Sequence, residues 1–131
     1  MQPILLTIFG EPASKANSRR LVFIGGKPRV IKSKKALDYA TAFKRQVIGQ
    51  NRLLAGDVVV TMTIYYASRR PDLDESLILD LLQGVAYLND RQVKERHIYW
   101  GLDKGNPRSE IRVESRAVAA QEAGGRVQSE K

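Results

Sequence analysis

The sequence predicts a mixed α/β fold of the α+β kind: one compact domain with a mixed sheet of about five strands and two main helices. Three observations predict it. Residues 57–67 alternate with a period of two. Two segments, beginning near Ser33 and Leu73, instead repeat their apolar residues at helical spacing. Turn residues separate several short apolar runs. A chain of 131 residues suits one domain. We expect that domain over residues 1–114 and a flexible C-terminal tail over 115–131, because Ala117–Lys131 has little to bury.

The elements follow in order. Pro3–Phe9 is rich in Leu, Ile and Thr and ends at Gly10, which predicts a strand. Glu11–Arg20 is a polar loop. Leu21–Ile24 and Pro28–Ile31 flank Gly25-Gly26, a hairpin signal because both turn positions tolerate positive φ. Ser33 is the expected N-cap of a helix running to about Gly49, with Leu37, Ala40, Phe43 or the stem of Lys44, Val47 and Ile48 facing inward. Asp57–Ala67, with Val58, Val60, Met62, Ile64 and Tyr66 in alternation, predicts a central strand. Leu73–Gln83 reads as a helix closed by Gly84. Arg96–Leu102 and Ser109–Val113 read as the last strands, joined by a turn at Asp103–Pro107.

Composition narrows the function. Lys and Arg number 22 against 14 Asp and Glu, a formal charge of +8. The pI is near 10, the footprint of a nucleic-acid binder. Lys15, Arg19, Arg20, Lys27, Arg29, Lys32, Lys34 and Lys35 form a positive tract, with Arg69 and Arg70 further on. We expect these side chains, Lys32 apart, to contact a phosphate backbone. Lys34 and Lys35 open a helix, where cations oppose the dipole and a phosphate would relieve the conflict. With no cysteine, disulfides, thiolate zinc sites and cysteine nucleophiles are excluded. The start of the chain lacks a basic n-region, and no segment approaches the ~20 apolar residues of a membrane span. The expected location is the cytoplasm.

Against this basic background stand Asp72 and Asp74, and then Asp90. Two residues apart on extended backbone, Asp72 and Asp74 present both carboxylates to one side. Oxygen donors so placed suit Mg²⁺, and a hard cation beside a polyanion is what phosphodiester cleavage requires. The same residues also fit a plainer pattern: Asp72 with Glu75 has capping-box spacing, and Asn89-Asp90 suits a turn. His97, the one histidine, reads as structural, and Tyr99 and Trp100 as core or dimer contacts.

Asp72-Leu73-Asp74 and Tyr87-Leu88-Asn89-Asp90-Arg91-Gln92-Val93, with Gly10-Glu11-Pro12 and Ser18-Arg19-Arg20, resemble the RusA-type Holliday junction resolvases over roughly residues 4–114. The resemblance implies a RusA-like fold and a homodimer with two sites. It implies Mg²⁺-dependent cleavage (Mn²⁺ possible) of four-way junction DNA in recombination or repair, often of phage or prophage origin. By position, Asp72, Asp74 and Asp90 match the catalytic, metal-binding aspartates of that family. Glu75, Arg91 and Lys94 are auxiliary candidates. Two departures stand out: Glu75 replaces the family's Asn, and Ile78 its lysine. The missing lysine sets a second reading beside the nuclease. On that reading the chain is a catalytically impaired junction-binding protein. An Ile78→Lys substitution would then switch cutting on.

Overall fold

The computed structural model describes residues 2–14 and 19–119. Among the described residues the main elements follow in the order β1 (Ile4–Phe9), β2 (Arg19–Ile24), β3 (Lys27–Lys32), α1 (Lys34–Gln46), β4 (Val58–Tyr66), α2 (Ser76–Leu82), β5 (Val93–Leu102) and β6 (Arg108–Ser115). A short 3-10 helix, Asp90–Gln92, precedes β5. The strands divide into a mixed four-stranded sheet, ordered β1-β6-β4-β5, and a separate two-stranded ribbon, β2-β3. The mixed α+β class expected from the sequence is therefore observed, with the sheet split four and two.

Both β1 and β4 are antiparallel to β6, which lies between them, and β5 is parallel to β4. The C-terminal ends of β1, β4 and β5 therefore share one edge of the sheet. β4 is an inner strand, as its alternation predicts. Val58, Val60, Met62, Ile64 and Tyr66 are all nearly inaccessible, and they meet Ile4, Ile8, Ile111 and Val113 with residues of both helices in one core. Each such aliphatic side chain contributes about 1.5–3 kcal/mol by burial. On the other face, Gly101 has no Cβ for a physical reason. A Cβ there would lie 2.7 Å from the Tyr65 ring, which also carries the Arg108 guanidinium 4.1 Å from its centroid.

The edge strand β1 is held by side chains at its two ends. Gln46 Oε1 accepts from the Phe9 amide at 2.7 Å, and its Nε2 donates to the Phe9 carbonyl at 3.0 Å. Arg52 donates to the Gln2 and Pro3 carbonyls, each at 3.1 Å. Backbone groups at both ends of this edge are thus occupied.

Ser33 caps α1, its hydroxyl accepting from the Ala36 amide at 3.2 Å. The buried face is Ala36, Tyr39, Ala40, Phe43 and Val47, whereas Leu37 and Ile48 are exposed. The expected stripe was thus rotated: it ran through Leu37 and Ile48, and the helix instead turns Tyr39 inward. α2 begins at Ser76 and not at Leu73, and Glu75 makes no capping bond through its side chain. The Asp72/Glu75 capping box does not form: α2 starts at Ser76 with Glu75 itself at the N-cap, so Asp72 lies three residues before the cap position. Gly25 and Gly26, at φ 60° and 79°, make the tight hairpin turn. At the far end, β6 runs through Ser115, and the Arg116 amide donates to the Asp57 carbonyl at 2.9 Å, so the folded body passes residue 114. Residues 120–131 of the expected tail lie outside those described. Among the described residues, no helix is long and apolar enough to cross a membrane.

Candidate functional site

The segment after β4 is held by two aromatic side chains from neighbouring parallel strands. The Tyr66 hydroxyl accepts from the Asp74 amide at 3.2 Å. Trp100 of β5 stacks on Tyr66 with centroids 5.9 Å apart, and its Nε1 donates to the Pro71 carbonyl at 3.0 Å. Asp74 is then oriented from the helix side, its Oδ1 accepting from the Ser76 amide at 2.9 Å and from the Ser76 hydroxyl. Across the gap, Glu11 leaves the end of β1. Its Oε2 accepts from the Ala67 amide at 3.0 Å, and its Oε1 lies 3.3 Å from Lys35 Nζ.

These groups enclose a cavity of about 410 Å³ lined by Glu11, Ser14, Lys35, Tyr66, Arg70, Asp72 and Asp74, with Pro12, Pro71 and Leu73. Its electrostatics are mixed by design of the fold: carboxylates from two strand ends meet a lysine from the start of α1 and the arginine before Pro71. Burial, and then the negative charges of Asp74, Glu11 and Glu75, push the Tyr66 hydroxyl above its ordinary pKa. Tyr66 therefore stays a neutral phenol at physiological pH.

Asp90 is positioned by a second construction. Asn89 caps the 3-10 helix, its Oδ1 accepting from the Arg91 amide at 2.9 Å. The Asp90 amide donates to Gln83 Oε1 at 3.0 Å. Gln92 ties the segment to the body with every donor and acceptor of its amide. Its Oε1 accepts from the Leu88 and Asn89 amides at 2.9 and 3.0 Å, and its Nε2 donates to the Leu54 and Gly56 carbonyls at 2.9 and 2.8 Å. Gln92→Ala removes all four, at about 1 kcal/mol or less each after relaxation. A loss of about 2–3 kcal/mol in a urea melt is expected, with the Asp90 segment released.

Asp90 lines a different cavity, of about 420 Å³, with Ser76, Leu79, Asp80, Val93, Lys94, Glu95 and Arg96. The reason is topological. Asp72 and Asp74 follow the C-terminal end of β4, whereas Asp90 precedes the N-terminal end of β5, and the two strands are parallel. α2, a helix of seven residues spanning ~10 Å, runs between. Ser76 connects the sites: it lines the second cavity while its hydroxyl donates to Asp74 in the first. Among the described residues, no three Asp, Glu or His side chains form a ready metal-binding group.

The remaining expected positions divide clearly. Arg19, Arg20, Lys27 and Arg29 lie exposed on the ribbon. Lys34 pairs with Asp38 at 2.6 Å. Lys35 and Arg70 enter the acidic cavity; Arg69 is exposed beside it. Glu75 pairs with Arg96 at 3.6 Å. Arg91 Nε reaches Asn89 Oδ1 at 3.4 Å, and Lys94 lines the Asp90 cavity. Lys15 lies outside the described residues. His97 is exposed on the sheet and paired with Glu95 at 3.4 Å. Ile78 is fully buried in the core.

Sequence reasoning missed the roles of Glu11, Tyr66, Trp100 and Gln92. Glu11 carried one signal, a lone acid between Gly10 and Pro12 at a strand end. Gln92 stood inside a quoted motif without a stated purpose, and the structure supplies one. A family model described as endodeoxyribonuclease RusA matches residues 10–114. No curated protein matches the chain.

Proposed function

Since the chain belongs to the RusA endodeoxyribonuclease family, we propose that it is a Mg²⁺-dependent endonuclease that cuts four-way DNA junctions as a homodimer, with Asp72, Asp74 and Asp90 as its catalytic carboxylates. The observation that carries this reading is the cavity at the strand ends, where Asp72, Asp74 and Glu11 face Lys35 and Arg70. Mg²⁺ usually takes only one or two protein carboxylates and fills its remaining positions with water and phosphate oxygens. The donor set of Asp72 and Asp74 fits that demand; Mn²⁺ would fit the same oxygens. When bound, the metal supplies Lewis acidity and lowers the pKa of water.

The chain's own residues do the rest. Ser76 fixes the orientation of the Asp74 carboxylate. Tyr66 and Trp100 hold the backbone of its loop, so the carboxylates keep their places when a polyanion approaches. Lys35 and Arg70 supply positive charge on the cavity wall for the phosphate. Asp90 acts from the adjoining cavity, coupled through Ser76. Two such sites in a dimer would serve the two opposed strands of a junction, in the cytoplasm.

A synthetic four-way junction with Mg²⁺ tests the reading. Paired symmetric nicks are expected, and binding without any cutting would overturn it. The second reading, a junction binder that has lost catalysis, is favoured by one observation: no cation can stand at the buried Ile78. The wild-type chain separates the two, since only the nuclease cuts.

A further inference from the structure

We propose that the β2-β3 ribbon is the element that selects branched over linear DNA, its apolar face covered by bases exposed at the branch point. The inference rests on the nuclease reading for its substrate class, and it concerns binding rather than cutting. Among the described residues, β2 and β3 form a sheet with each other and with no other strand. Ten of their twelve residues are exposed. An isolated two-stranded ribbon is marginally stable in water, so its apolar surface calls for a covering partner.

The register divides that surface. Arg19 faces Lys32, Leu21 faces Val30 and Phe23 faces Pro28, so these six share one side. Arg20 with Ile31, Val22 with Arg29 and Ile24 with Lys27 share the other. The first side is cationic at its base and apolar toward the tip, where Leu21, Phe23 and Val30 are 60, 70 and 65% exposed. Residues 19–32 hold five cations, Arg19, Arg20, Lys27, Arg29 and Lys32, and no acid. Two such ribbons would repel each other, whereas a polyanion is attracted. A ribbon six residues long, ~20 Å, has the size of elements that enter a DNA groove. Apolar side chains presented to DNA act by packing against unstacked bases, and a branch point offers these without the cost of opening a duplex. The ribbon is also tied to the acidic cavity. Ser14 before it and Lys35 after it both line that cavity.

The test uses the full chain in Ca²⁺, with affinities measured for a four-way junction and for a linear duplex of the same sequence. Phe23→Ser with Leu21→Ser is expected to lower the junction-to-duplex affinity ratio about tenfold while duplex affinity and salt slope stay unchanged. It is also expected to abolish the fluorescence change of a 2-aminopurine placed at the branch point. Arg20→Gln with Arg29→Gln is expected to weaken both substrates alike and to reduce the salt slope by about 2. An unchanged ratio in the Ser variant, equal losses on both substrates, or a ribbon that proves to be buried against a second copy by sedimentation would each overturn the proposal. Failure of Mg²⁺ cleavage with these binding results intact would sink the nuclease reading alone.

Discussion

Asp74→Asn is expected to reduce Mg²⁺-dependent junction cutting by about a thousandfold while leaving the fold and junction affinity in place. The structure explains why the two effects separate. Asparagine keeps an oxygen that accepts from the Ser76 amide and hydroxyl, so α2 still starts where it does. The backbone bond to the Tyr66 hydroxyl is untouched by the substitution. What is lost is the negative charge that a divalent cation needs. Losing about 4 kcal/mol of transition-state stabilisation corresponds to that factor in rate. Single-turnover nicking of a labelled junction measures it, alongside binding in Ca²⁺. Retention of near-normal cutting by Asp74→Asn would remove the cavity from the mechanism.

Ile78→Lys is expected to destabilise the protein by about 3–5 kcal/mol, and not to switch on cutting. Position 78 has no exposed surface and packs with Leu77 and Leu82 in the core. The change removes buried aliphatic surface and forces an ammonium group toward it. Burial disfavours the charged amine, so its pKa in the folded protein falls below the unfolded value. The unfolded chain then binds more protons, and stability rises with pH. Urea melts should therefore show a larger loss at pH 7 than at pH 10. Equal losses at both would mean that the amine escapes to solvent. The substitution that sequence alone made attractive as a gain-of-function test is thus chiefly a packing defect.

How much was legible follows from the range of the interactions involved. The strand at 58–66, the Gly25-Gly26 turn and the Ser33 cap depend on neighbours within a few residues, and the sequence displays them. The inward face of α1 was misjudged because Tyr39 and Leu37 are both plausible core residues. Only the packing of the helix decides between them. At the site, Asp72 and Asp74 were visible because their spacing is local. Glu11 was not, because its place depends on β1 and β4 ending at the same edge, a fact that β6 creates from far along the chain. The separate cavity of Asp90 was hidden for a similar reason. The sequence shows three acids and a helix between them, but not that β4 and β5 are parallel.

The position of β6 between β1 and β4 also bears on how the protein is made. Ile4 pairs with Val113, and Val60 pairs with the same residue from the other side. The strand that joins the two halves of the sheet is, among the described strands, the last to leave the ribosome. Until it does, no strand bridges β1 and β4, and closing so long a loop is slow. The acidic cavity is therefore a late product of folding, completed only after synthesis has passed the final strand. A nascent chain on the ribosome carries the basic ribbon before it carries a finished site.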